Sequence, residues 1–264
     1  MKGEMDIQKY QNELSTAQSK DNTRPFLEKI QSRPHWRIHL CPTVYKKRLN
    51  DLKQACELIT KARACLSNEY YPTCISNLTY EHNFIASETD KPNLGVAEYW
   101  FLFHSGQFLH LLETPEAFHD SELRKEAEKV PGMTNTKAPG FIKIRPLLNR
   151  FCLFFNFVSN ACQANLYDTE LKIDIELKGI KDFRLIDSLH SIISFAGDFA
   201  ARTDPISNRW FVQPKEISSK WMDLTLEVSC YFVSCFEDED FKGYKPPIDK
   251  YKGHLQQFLS GKSY

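Results

Sequence analysis

The ten glycines of this chain are scattered, and none forms a Gly-x-Gly-x-x-Gly or Walker-type loop. That absence excludes a Rossmann dinucleotide enzyme and a P-loop ATPase, whose phosphates need backbone amides bared by clustered glycine. No Gly-x-Ser-x-Gly elbow occurs, so the chain lacks the nucleophile turn of α/β-hydrolases. There are eight cysteines but no Cys-x-x-Cys pair. Cys56, Cys152, Cys162, Cys230 and Cys235 fall inside helix-like segments, which fits buried free thiols in a reducing cytosol better than a disulfide or zinc framework. Charge excess is missing too, with 34 basic against 34 acidic residues, so no global field draws in nucleic acid or an anionic membrane. The longest apolar run, Phe151 to Val158, is broken by Asn156 and is too short to span a bilayer. Residues 1–20 are polar and amphipathic, unlike a signal peptide. A cytoplasmic protein without cofactor or membrane contact is expected.

What is present is a globular mixture of strands and helices. The chain is long enough to bury a large core without metal or disulfide. Ile7, Tyr10, Leu14 and Ala17 follow helical spacing, and Phe26, Leu27 and Ile30 follow Pro25, so residues 1–35 read as an N-terminal helical arm that packs on the rest or engages a partner. Residues 36–264 read as one α+β domain. Within it, "WRIHL" (36–40) alternates as a strand stopped by Cys41-Pro42, and a helix is predicted over 51–62. Short strands are predicted at 82–86, 182–186 and 208–213. The stretch 98–113, "EYWFLFHSGQFLHLLE", reads as a central hairpin turning at Ser105-Gly106. Its expected register sets Phe103 against Phe108, His104 against Gln107 and Phe101 against His110. Pro146 opens the longest helix, with an apolar face too wide for a surface helix. Leu171, Ile173, Ile175 and Leu177 alternate with Lys172, Asp174, Glu176 and Lys178, which demands a strand with one buried and one polar face. Another amphipathic helix is expected over 215–236. A charged helix at 121–130 and the loop "PGMTNTKAPG" make 114–140 a mobile insertion, and 238–264 a Lys-rich tail with a short helix near 255–259. Strands and helices do not alternate regularly, which favours α+β with a mixed or antiparallel sheet over a doubly wound one.

Three groups of residues carry candidate chemistry. Asp174, Glu176 and Lys178 share one strand face in the E-x-K form of Mg²⁺-dependent nucleases, where two carboxylates hold the metal and the lysine polarises water or phosphate. The same residues equally suit a solvated charged face. Arg37, Lys46, Lys47 and Arg48 surround Trp36 and Tyr45, a combination suited to phosphate contact and base stacking, or to a solvated basic turn. His35, His39, His104 and His110 could meet if strand 36–40 joins the hairpin, but isolated histidines among aromatics are more often hydrogen-bonded core or rim residues, and no metal site is assigned. Cys74 is loop-borne, with no base supplied nearby in sequence.

"WRIHLCPT" (36–43), "YYP" (70–72), "EYWFLFHSGQFLHL" (98–111), "IDIELKGI" (173–180) and "QPKE" (213–216) occur in that order. Together they resemble a domain of uncharacterised bacterial proteins that follows a Schlafen-type AlbA-like DNA-binding domain. The Ser-Gly-Gln-Phe turn, Ser105 to Phe108, is the most specific element. Only 35 residues precede Trp36, so the chain is expected to be a stand-alone version of that companion domain. Phe103-His104 stands where the family has tyrosine-glutamine, and no catalytic residue carries over. The resemblance implies a non-catalytic recognition or regulatory subunit that works with a separate effector protein, in a setting such as bacterial antiphage defence. Its candidate ligand- or partner-binding residues are Trp36, Arg37, His104, Ser105 and Gln107. A Mg²⁺-dependent nuclease and a nucleic-acid-binding module are the alternatives.

Overall fold

A computed structural model of the chain describes residues 2–20, 23–66, 69–73, 75, 78–91, 96–114, 138–186 and 199–238. The helices expected at 121–130 and 255–259, Cys74, most of the 114–140 insertion and nearly all of the tail lie outside the described residues. The architecture is α+β, and it divides into two compact units. The first draws on Met1–Thr114, Leu153–Lys178 and Ser207–Trp221, and the second on the remaining segments.

The first unit is built on a seven-stranded sheet in the order β12-β9-β1-β7-β6-β5-β4. Its strands are β1 (His35–Pro42), β4 (Leu78–Tyr80), β5 (Phe84–Lys91), β6 (Val96–Phe103), β7 (Phe108–Glu113), β9 (Leu171–Lys178) and β12 (Ile206–Val212). The pairs from β9 through to β4 are all antiparallel. β1 runs through Cys41-Pro42 rather than stopping there, because the amide-less Pro42 is its last residue. β2 (Ala64–Leu66) and β3 (Glu69–Tyr71) form a separate ribbon.

The hairpin register differs from the expected one by a single residue. Phe103 N–H donates to Gln107 O at 2.9 Å and Gly106 N–H to Phe103 O at 2.9 Å, leaving His104, Ser105 and Gly106 as a three-residue connection. Gly106 holds φ +81, the left-handed conformation that ends such loops and that glycine adopts without steric cost. The pairs are therefore Leu102–Phe108, Phe101–Leu109 and Trp100–His110. A slip of one residue moves every side chain of a strand to the other face relative to its neighbour. His110 thereby shares a face with Trp100 and Glu98 instead of Phe101.

The two faces follow from the register. On one, Trp100, His110, Ile38 and Ile175 form a row across four strands, and Leu102, Phe108, Leu40 and Ile173 form the next. Every one of these side chains is buried. Tyr71 and residue Phe157 of α4 (Ile144–Gln163) pack on Phe108, with ring centroids 6.4 and 5.0 Å away. On the opposite face the rows change character. Tyr99 and Leu111 lead to Arg37 and Glu176, while Phe101 and Leu109 lead to His39 and Asp174. The apolar half is covered by α1 (Lys2–Gln18) and α2 (Arg24–Gln31), whose Leu14, Ala17, Leu27 and Ile30 join Phe84, Tyr99, Phe101 and Leu109 in one core cluster. The N-terminal segment thus packs on the sheet. α3 (Leu52–Ala62) starts where Asp51 accepts from Gln54 N–H at 2.8 Å, and it buries Ala55, Leu58, Ile59 and Ala62 at helical spacing.

The second unit contains a mixed four-stranded sheet, β13-β11-β10-β8, from β8 (Phe141–Lys143), β10 (Arg184–Ile186), β11 (Phe199–Ala201) and β13 (Phe236–Asp238). β10 pairs with β8 in parallel, whereas β10–β11 and β11–β13 are antiparallel. α5 (Pro214–Ser234) carries Pro214 at its start and is interrupted at Lys220, whose φ of −133° is not helical. No described helix is long and apolar enough to cross a membrane.

Candidate functional site

The polar half of the sheet, unlike the apolar half, is left open. A groove of about 920 Å³ lies between α1 and strands β1, β9 and β12. Its floor is the alternating face that β9 must turn away from the core, joined by Arg37 and His39 of β1 and by Arg209 of β12. Asp174 meets Arg209 Nε, Lys172 Nζ at 2.9 Å and His39 Nδ1 at 3.7 Å. Glu176 meets Lys178 Nζ at 2.9 Å and an Arg37 guanidinium nitrogen at 3.6 Å. Burial pushes the Asp174 carboxyl up, but His39, Arg209 and Lys172 outweigh it and hold the group well below the usual carboxylate range. At the rim, Ile7 and Phe211 are 53% and 56% exposed, so the groove offers apolar as well as charged contact.

The groove floor is wired to the hairpin turn. Gln107 Nε2 lies 3.3 Å from Tyr10 O and 3.2 Å from Glu13 Oε2, both acceptors, which fixes the orientation of its amide. Gln107 Oε1 must then accept from His39 Nε2–H at 2.8 Å, so the other imidazole nitrogen, Nδ1, is the one that faces Asp174. Glu13 also accepts from Ser105 Oγ–H at 2.6 Å and from Tyr45 O–H at 3.0 Å. Burial pushes the Glu13 carboxyl above its ordinary value, against these three hydrogen bonds. The turn carbonyls are equally engaged. Arg48 and Leu49 amides donate to His104 O, the Arg48 guanidinium to Ser105 O at 3.0 Å, and Tyr167 O–H to Gly106 O at 2.9 Å. The Ser-Gly-Gln turn is therefore a clasp that holds α1 against the sheet.

The structure sorts the sequence candidates accordingly. Asp174, Glu176 and Arg37 come together in the groove, with Lys178 at the end of β9 paired to Glu176. Trp36 is buried on the opposite face, in register with Leu112 and Leu177. Ser105 and Gln107 are buried in the clasp, whereas His104 is half-buried beside a second hollow. The basic candidates do not form one patch. Arg37 is in the groove, Lys46 pairs with Asp168, Lys47 lines the second hollow, and the Arg48 side chain is 3% exposed. His35 and His39 share a face that His110 does not, so the four histidines stay apart. Among the described residues no three His, Cys, Asp or Glu side chains are grouped to hold a metal ion.

His110 belongs instead to a buried polar network. Its Nε2 lies 2.9 Å from Glu98 Oε1, its Nδ1 is 2.6 Å from the Tyr71 hydroxyl, and Thr73 N–H donates to Glu98 Oε1 at 3.1 Å. Burial pushes the Glu98 carboxyl up, but His110 and Thr73 outweigh it and hold the group below its ordinary value. Glu13, Tyr10, Glu98 and Arg209 were not legible as site residues. Each acts through a partner distant in sequence, and a lone acid or arginine gives no spacing signal. Lys172 alone was visible, as a member of the alternating β9 face.

No protein-family model, no curated protein and no solved structure matches the chain.

Proposed function

We propose that the chain is a non-catalytic recognition subunit whose groove, between α1 and strands β1, β9 and β12, receives a segment of a separate effector protein. The observation that carries this reading is the charge state of the groove. Asp174 and Glu176 are each matched by basic neighbours, so neither is left as the free carboxylate pair that would hold Mg²⁺. A neutral surface of alternating charges with apolar rims suits a protein segment of mixed composition, where charge pattern sets specificity and apolar burial supplies affinity. Resemblance to a domain found fused in bacterial proteins supports an effector encoded separately, and antiphage defence is the proposed setting, by analogy alone.

The test is co-expression with the products of adjacent genes, followed by light scattering on the purified species. A stoichiometric complex is expected, and Arg209→Glu combined with Phe211→Ser should abolish it while the circular dichroism stays unchanged. A chain that remains a partnerless monomer, or a complex that survives the double substitution, refutes the proposal. The nuclease alternative has its own assay. Plasmid, single-stranded DNA and RNA should stay intact with Mg²⁺ or Mn²⁺, and cleavage that Glu176→Ala abolishes would replace the recognition reading.

A further inference from the structure

A second hollow, of about 700 Å³, opens beside the hairpin turn on the side of α3 and is separate in lining from the groove. Two acids and four bases line it, and they are treated differently. Glu13 is occupied by Ser105, Tyr45 and Gln107, and Asp51 caps α3 by accepting from Gln54 N–H. Lys47, Lys53, His82 and His104, by contrast, have no ion pair among the described residues. His104 is anchored through its backbone, with N–H donating to Asn83 O and its carbonyl accepting from Arg48 and Leu49. Its side-chain Nε2 is enclosed and meets no hydrogen-bond partner among the described residues.

We infer that this hollow is an anion site, in which Lys47, Lys53, His82 and His104 bind a phosphate group. The size is that of a small-molecule pocket. Two observations agree on the sign of the ligand. The carboxylates present are already engaged, whereas the four basic groups have no ion pair among the described residues. The electrostatics point the same way. Burial and then the charges of Lys47 and His82 hold the His104 imidazole below its ordinary value, with only Asp51 opposing. An oxyanion would relieve that repulsion, and two lysines would add charge-assisted hydrogen bonds. The first turn of α3 is already capped by Asp51 and plays no part.

Histidine ring-proton signals of the full chain, followed as inorganic phosphate replaces chloride at matched ionic strength, test this. The signal that His104→Gln removes should move saturably, and its titration midpoint should rise. Lys47→Gln with Lys53→Gln should weaken phosphate binding about tenfold or more, the loss expected for hydrogen bonds to a charged group. Arg209→Gln, in the groove, should leave it unchanged. Shifts that chloride reproduces, or affinity that survives loss of both lysines, overturn the inference. Pyrophosphate and a single-stranded oligonucleotide separate the two sources of the phosphate. Saturation by pyrophosphate assigns a free phosphate compound. Binding of the oligonucleotide alone, weakening steeply with salt, assigns a nucleic-acid backbone. Binding of neither refutes the site. A groove that fails to bind a protein leaves these results untouched.

Discussion

His110→Phe should be one of the most damaging single substitutions in the first unit. Phenylalanine fits an aromatic neighbourhood of similar volume, since the His110 ring lies 4.8 Å from that of Tyr71 and 6.2 Å from that of Phe108. Packing is therefore nearly preserved, and the loss is electrostatic. Glu98 is 1% exposed, its Oε1 is 2.9 Å from His110 Nε2, and its Oε2 has no hydrogen-bond partner among the described residues. Removing the imidazole strands a buried carboxylate, which costs about 3–5 kcal/mol. Glu98→Leu strands the imidazole and the Thr73 amide, costing about 1–3 kcal/mol. The double substitution removes both members of the pair but still leaves the Tyr71 hydroxyl and the Thr73 amide without these partners, so it should cost less than the sum of the two single changes by about 2 kcal/mol or more. Urea unfolding at neutral pH, followed by tryptophan fluorescence, gives all four corners of the cycle. The acid limb adds a second reading. Glu98 is held below its ordinary value when folded, so its contribution is present above about pH 4.3 and is lost as pH falls through the folded value. Glu98→Leu should flatten that limb. Additive single effects, or a His110→Phe cost under about 1 kcal/mol, would refute the buried-pair reasoning.

Other substitutions test the clasp and the thiols. Gly106→Ala puts a Cβ 2.9 Å from Arg48 Cδ at φ +81 and should cost about 1–2 kcal/mol or more in the same urea assay, a smaller loss arguing against a tight turn. Glu13 is held above its ordinary value by burial, so its contribution is full below about pH 4.3 and is lost as pH rises through the folded value. Glu13→Gln should therefore remove that loss across the titration and stay within about 1 kcal/mol of the parent at neutral pH, with its amide turned to the Tyr45 hydroxyl. Glu13→Ala, which leaves Ser105 and Gln107 donors unpaired, should cost about 1–3 kcal/mol. Burial pushes the Cys41 thiol up to about 11 and those of Cys152 and Cys162 up to about 12, so folded protein at pH 8 should alkylate at exposed Cys65 well before these three, as read by mass spectrometry.

Elements with strong periodicity were legible. The alternation of β9 is reproduced residue by residue in its burial, and the apolar positions of α4 are buried as its pattern required. The hairpin was legible as a hairpin, since aromatic and β-prone residues flank a Ser-Gly-Gln turn. Its register was not, because a two-residue and a three-residue connection differ only in which backbone groups pair, and both fit the same residues. That one-residue difference takes His110 off the face of Phe101 and places it against Glu98. The aromatic and basic cluster around Trp36 misled for a related reason. Neighbours in a strand point to opposite faces, so Trp36 and Arg37 cannot serve one surface.

Local sequence determined where strands and helices form, which face of β9 is polar, and which functions lack their motifs, because each depends on residue spacing within one segment. Tertiary structure alone decided which polar residues meet. Glu13 with Ser105, Asp174 with Arg209, and Glu98 with His110 and Tyr71 are joined by strand order and register, which no single segment encodes.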